Sequence, residues 1–399
     1  MRWLRFAFKI LAGIAMVAVG AIAVLLVALW LDHFRETTLP APTGKFPVGR
    51  TTLVFSDPSH TDPTAPGPGA TRELFVWIWY PAAQRQPQQA LDDYMPAASR
   101  KAMEGGLFIT LLNRDPARVR AHSLRDARLS PGQTSYPVAI MRTGGATLAT
   151  NYTTLAEDLA SHGFVVVGFD APYRSLAVVF PDGRVIARSP GNNLDLAYGP
   201  QQEQLANRLV RAWSGDTGYV LDRLDGLNKE DPAGRFTGRL DLSRVGVFGH
   251  SIGGATALQF CHDDARCKAG IDVDGLVVGD GALNGMQKPF LFLMSDHRGE
   301  PESERVPVLA KIRSVYDRLP AESRLMVTLR GANHFGFSDG TKNHIVMGAM
   351  RTVGKQMDGR RQLELSEHYI DAFFDVYLNG GPASELKARA DFPEVESLP

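Results

Sequence analysis

The sequence predicts an α/β fold: a mostly parallel, doubly wound sheet with helices on both faces, preceded by a separate transmembrane helix. Three observations predict it. Short runs such as Phe164 to Phe169 contain almost no polar residue and fit strands buried on both faces. Helical patterns stand between such runs, and strands that alternate with helices build a parallel sheet through crossovers. Finally, Gly249-His250-Ser251-Ile252-Gly253-Gly254 directly follows the apolar run Val245-Gly246-Val247-Phe248, which marks a sharp turn from strand to helix.

The N-terminus carries Arg2, Arg5 and Lys9 within residues 1–9, then an uncharged run from Ile10 to Leu31. As a helix that run spans roughly 33 Å, enough to cross a bilayer core. A cleaved signal has an apolar stretch of only about 7 to 15 residues, and no small-x-small site follows near Asp32, so residues 10–31 are read as an uncleaved anchor. Basic residues stay on the cytoplasmic side, which places residues 1–9 in the cytoplasm and the domain on the periplasmic or extracellular side. The domain would be secreted if the segment were cleaved. A buried core helix is the bland alternative, and a terminal position with positive flanks argues against it.

Residues 32–49 read as a linker and 50–399 as one α/β domain. Within it, Thr51 to Phe55 and Glu73 to Tyr80 are expected as strands paired antiparallel around the turn-rich loop from Pro58 to Gly69. A mixed segment follows from Ala90 to Leu129, with a helix over Met103 to Asn113. Tyr136 to Met141 is a strand, Tyr152 to His162 a helix closed by Gly163, and Phe164 to Phe169 the next strand. A loop region over Ala171 to Gly199 leads to a long helix from Gln202 to Leu227. After the turn at Ser251, a helix runs through Ala255 to Phe260. Strands are then expected at Ala269 to Val273, Lys288 to Met294 and Arg324 to Leu329, with a helix between the last two and a final helix from Glu364 to Leu378.

Composition narrows the chemistry. Lysine plus arginine equals aspartate plus glutamate at 43 each, so no overall field favours nucleic acid. Cys261 and Cys267 are the two cysteines. In an exported protein they are expected to close a small disulfide loop, with two buried thiols as the other reading. His262 alone does not complete a metal site beside them, so neither metal nor cofactor is expected.

Ser251 at such an elbow has the position of a nucleophile, but a hydroxyl at neutral pH needs a base, and the base needs an orienting acid. His334 stands in a loop just after the strand Arg324 to Leu329 and last in chain order, where this architecture puts its base. His297 is its rival. Three aspartates end strands beyond the serine, namely Asp272, Asp274 and Asp296, and position alone does not separate them. An oxyanion needs two preset backbone donors. The amide of Ile252 is one, and Gly145, in the small-residue loop Arg142-Thr143-Gly144-Gly145-Ala146, is the other.

Tyr136-Pro137, Leu159-Ala160-Ser161-His162-Gly163-Phe164-Val165-Val166, the elbow and Ala269-Gly270-Ile271-Asp272-Val273-Asp274 resemble the platelet-activating-factor acetylhydrolase family, plasma and isoform II type, and its bacterial relatives. The resemblance runs from about Pro42 to Gly381. It implies an α/β-hydrolase fold, with residues 50–399 as the catalytic domain and no cofactor. In that family the acid follows the strand after the elbow helix, which maps onto Asp274, and the oxyanion-loop donor maps onto Gly145. Two departures bear on substrate preference: Thr143-Gly144 replaces histidine-glycine, and Ile252 replaces a frequent phenylalanine. The resemblance implies a serine esterase acting on short or oxidised acyl esters, phospholipid sn-2 groups among them, held near lipid by its anchor. A hydrolase of polyesters or other bulky esters is an alternative of the same class. A catalytically inactive hydrolase-fold binding protein of the envelope is the alternative of a different class, resting on the missing oxyanion-loop histidine.

Overall fold

The computed structural model describes residues 2–84, 89–194, 199–275, 277–387 and 390–398. Helix α1 (Arg2–His33) is long and apolar enough to cross a membrane. Most of its apolar side chains are exposed, and only its last turns meet the domain. There Leu29 and Asp32 are buried, Asp32 pairs with His344 at 3.3 Å, and its carboxylate accepts the Ile345 amide at 2.9 Å.

The segment expected as a linker lies along the domain instead. Thr37–Thr38 pairs in parallel with Val119–Arg120, Leu39 is buried, and the amide and hydroxyl of Thr43 both donate to Asp158. These backbone and carboxylate bonds make it a fixed strap.

The central sheet contains β1 (Val48–Thr61), β2 (Thr71–Pro81), β3 (Tyr136–Arg142), β4 (Val165–Asp170), β5 (Leu240–His250), β6 (Cys267–Val273), β7 (Phe290–Met294), β8 (Arg324–Leu329) and β9 (Val395–Leu398). Its order is β9-β8-β7-β6-β5-β3-β4-β2-β1, closed by the short strand Leu124–Arg125. Neighbours from β4 to β8 are parallel, while β1 with β2, β2 with β4, and β8 with β9 are antiparallel. The chain leaves β3 toward β4 on one side and returns to β5 on the other. That reversal is a topological switch point, where the loops after β3 and β5 part and open a crevice at the carboxyl ends of the strands.

Among the described residues, nine helices of six residues or more accompany the sheet: α1, then α2 (Ala97–Ala102), α3 (Leu107–Leu112), α4 (Thr153–Ser161), α5 (Pro200–Lys229), α6 (Ile252–Asp263), α7 (Glu302–Tyr316), α8 (His344–Gly354) and α9 (Gly359–Phe374) follow in chain order, with short turns between. Alternate residues of β3 serve opposite layers. Val138 and Ile140 pack with Val220, Leu221 and Leu224 of α5, whereas Ala139 and Met141 pack with Leu155 and Leu159 of α4 and Ile370 of α9. A strand covered on both faces leaves little place for polar side chains, which is why β3 reads as continuous apolar residues from Val138 to Met141, before Arg142 at its end.

Several expectations shift. Of the helix expected over Met103 to Asn113 only α3 forms: α2 ends before it at Ala102, and Met103 to Gly106 are not helical. The final helix starts earlier, at Gly359, because the Asp358 side chain caps it by accepting the Arg360 amide. It then widens into a π turn over Asp375–Asn379, closed by Gly380 at φ 75°. The loop after β4 holds a small hairpin, Ala177–Val179 with Val185–Ala187, and residues 195–198 of that loop lie outside the described residues.

A disulfide joins Cys261 to Cys267, tying the end of α6 to the start of β6. Closing so short a loop is worth about 2 kcal/mol through the unfolded chain. Replacing both cysteines by serine is therefore expected to lower unfolding stability by about 2 kcal/mol in denaturant titration, with more lost if the buried hydroxyls find no partner.

Candidate active site

Ser251 sits between β5 and α6 with φ 58° and ψ −124°, a conformation that costs a non-glycine residue about 1–3 kcal/mol and persists only where its surroundings enforce it. The surroundings here are close contacts. A Cβ on Gly249 would lie 2.3 Å from the Gly253 carbonyl oxygen, and one on Gly253 would lie 2.5 Å from that of Arg142. The Ser251 amide donates to Val273 O at 2.9 Å, pinning the elbow to β6.

The structure separates the three aspartates. Asp274 follows β6 at φ 52°, and its Oδ2 accepts His334 Nδ1 at 2.7 Å. Its carboxyl is held well below the usual carboxylate range: burial pushes it up, but the hydrogen bonds and charges of two histidines, His297 and His334, outweigh that. Asp296 instead caps the turn His297–Gly299, pairs with Arg298 at 2.8 Å and accepts the Gly331 amide at 2.7 Å. Asp272 is fully buried beneath the elbow, in contact with Gly254 and Gly275. Burial first and Asp274 second raise it well above the usual carboxylate value, so it is a neutral acid there.

His334 is half-buried at the head of the turn His334–Phe337 after β8. With Nδ1 engaged by Asp274, Nε2 is the nitrogen left to exchange a proton. The ring of His250 lies 4.5 Å from that of His334. His250 itself is buried and kept neutral, its pKa lowered to about 3 by burial and then by the charge of His334.

His250 also belongs to a relay that the sequence pattern did not reveal. Its Nε2 contacts His334 O at 2.8 Å, and a carbonyl only accepts, so Nε2 carries the proton. Nδ1 must then accept, and it does so from the Tyr152 hydroxyl at 2.8 Å. The Tyr152 oxygen in turn accepts the Gly144 amide at 3.0 Å. Burial pushes Tyr152 up to about 12, which keeps the hydroxyl a donor. The relay therefore joins the loop after β3, the elbow and the loop after β8 with every donor direction fixed.

The Gly144 amide is spent on Tyr152, while the next residue, Gly145, is exposed. Ile252 is the first residue of α6, where amides lack an intrahelical acceptor. A Cβ on Gly145 would lie 3.9 Å from Ile252 Cγ2, so the two residues are neighbours across the cavity wall. Gly145 and Ser251 line one cavity of about 400 Å³ together with Leu194, Leu209, Trp213 and Arg174. Arg174 is a second residue missed in the sequence. It is wholly buried in ion pairs with Asp62 at 3.1 Å and Asp216 at 2.5 Å, partners far away in the chain that no spacing rule connects.

A family model for platelet-activating factor acetylhydrolase, isoform II, matches residues 31–182 and 216–379. The chain belongs to that family. It is similar to the platelet-activating factor acetylhydrolase of Cavia porcellus, at 24% identity over 88% of this chain and 80% of that one. A probable 1-alkyl-2-acetylglycerophosphocholine esterase of Arthroderma benhamiae is 25% identical over 90% of this chain and 93% of its own. Among solved structures, a ferulic acid esterase from Streptomyces cinnamoneus superimposes with a TM-score of 0.73 at 27% identity, covering 91% of this chain and all of that one. The fold is that of the α/β hydrolases, and the protein is an esterase. The reading as an inactive envelope scaffold is set aside.

Tyr152→Phe removes the middle of the relay and leaves a buried amide and a buried ring nitrogen unpaired. It is expected to cost about 1–3 kcal/mol of stability. It is also expected to lower kcat/KM about tenfold as the Gly144-Gly145 loop loosens, both read by unfolding and ester hydrolysis at neutral pH.

Proposed function

We propose that this protein is a membrane-anchored serine esterase of short or oxidised acyl esters, phospholipid sn-2 groups included. The observation that carries the reading is the 2.7 Å bond from His334 Nδ1 to the buried Asp274, beside a serine held at φ 58° in the wall of the cavity. Asp274 fixes the imidazole, and His334 Nε2 takes the Ser251 proton as Oγ attacks the ester carbonyl. The oxyanion is met by the amides of Gly145 and Ile252. Collapse expels the alcohol, which leaves with the proton held by His334, and water activated by the same histidine releases the acid and restores Ser251.

Support for the lipid half of the proposal comes from the curated relatives, whose names specify platelet-activating factor and an alkyl-acetyl-glycerophosphocholine. A second support is how α1 meets the domain. Its last turns contact α3 and α8, where His33 Nδ1 bonds Asn113 O at 2.6 Å beside the Asp32–His344 pair. Leu107 and Phe108 on α3 and Met350 and Val353 on α8 are exposed at that end of the molecule. We read residues 10–31 as the anchor and the domain as extracytoplasmic, with ester substrate arriving along the membrane surface. A bulkier ester is the second reading, favoured by the ferulic acid esterase likeness and the aromatic wall at Trp213.

Ser251→Ala is expected to reduce turnover of p-nitrophenyl butyrate by roughly a thousandfold or more. An acyl-length series on full-length protein in detergent separates the readings. Highest kcat/KM on acetyl phospholipid supports the first, and highest kcat/KM on feruloyl or polymeric esters supports the second.

A further inference from the structure

Asp274 is held by two histidines, one at each oxygen. Oδ2 accepts His334 Nδ1, while Oδ1 accepts the Ser295 amide at 2.8 Å and faces His297 Nε2 at 3.2 Å. That last contact is at ion-pair distance. The other ring nitrogen of His297, Nδ1, lies 2.9 Å from Glu300 Oε1. A neutral imidazole has one N–H and one lone pair, and the lone pair would here face a carboxylate. Only the imidazolium suits both neighbours.

We propose that His297, held as a cation between Glu300 and Asp274, is a positioning residue that fixes the acid toward His334 and shares its negative charge. The inference rests on the assignment of Ser251, Asp274 and His334 proposed above. The charged groups facing His297 are Asp274 from the turn after β6 and Glu300 from its own turn. Asp296 is turned to Arg298 and the Gly331 amide, and Arg298 and Arg330 are drawn toward Glu396 of β9. Asp274 keeps His297 protonated well into the alkaline range, its pKa raised to about 9 against the smaller opposing effect of partial burial.

The charge has a kinetic consequence. A cation on Oδ1 takes up part of the negative charge that Asp274 presents to an imidazolium at His334. Removing that cation moves the acid limb of kcat/KM to higher pH. Conversely, loss of the His297 proton near pH 9 releases one side of Asp274 and lowers kcat/KM on the alkaline side.

The test is the pH profile of p-nitrophenyl butyrate hydrolysis by the full-length chain and its variants. His297→Gln is expected to move the acid limb up by roughly half a unit to one unit, to abolish the alkaline decline near pH 9, and to lower plateau kcat about threefold to tenfold with KM little changed. Glu300→Gln, at an exposed position that spares the fold, is expected to move the alkaline decline down by about half a unit. A His297→Gln profile that superimposes on wild type overturns the proposal. So does an alkaline decline that Glu300→Gln leaves in place, a result that decides the matter even if His297→Gln does not fold. Ser251→Ala measured alongside keeps the two levels apart: retained hydrolysis there sinks the catalytic assignment itself, whereas its loss with unchanged His297 and Glu300 profiles sinks this inference alone.

Discussion

The structure depends on one backbone constraint, the left-handed turn at Ser251. Everything near it gives way to that turn. Gly249 and Gly253 have no room for a side chain, α6 begins at the very next residue, and β6 anchors the turn through the Ser251 amide. Because β5 and β3 lie at the point where chain order reverses, the same turn faces the loop carrying Gly144 and Gly145. The strain is sustained by burial on both sides of the sheet, where packing leaves the local backbone no alternative.

Burial also decides the protonation states around the elbow. His250 and Asp272 are both neutral, one because its imidazolium would be desolvated and the other because its carboxylate would be. Asp274 remains an anion in an equally buried place because two histidines and a backbone amide satisfy it. Two carboxyls separated by one residue thus take opposite states. The difference lies in partners rather than in depth.

Much of the fold was legible because the chain is locally consistent. Strands buried on both faces have to be apolar along their length, and β4 shows this from Val165 to Phe169, with Asp170 at its carboxyl end. The elbow was legible for a steric reason, since glycines at those positions answer to contacts within a few residues. The choice among Asp272, Asp274 and Asp296 was not, because all three end strands; only the direction of each side chain separates them, and that is a property of tertiary packing. Family resemblance pointed to Asp274, and the bond to His334 falls on the same residue. Tyr152 and Arg174 were invisible for a related reason, since they bond residues 98 and 112 positions away, and His297 was seen only as a rival base because its contact with Asp274 lies 23 positions back in the chain. The strap over residues 32–49 was read as a linker since its prolines and glycines suit either state. Its hydrogen bonds to Asp158 and Ser161 belong to the fold, not to its composition.

The central claim is that Ser251 is a nucleophile activated by His334 and Asp274. The most direct measurement is covalent capture with a fluorophosphonate, followed by mass spectrometry to locate the adduct. The account predicts a single adduct on Ser251, formed at a rate that collapses in Asp274→Asn. An adduct on another serine, or equal labelling of the Asp274→Asn protein, would contradict it.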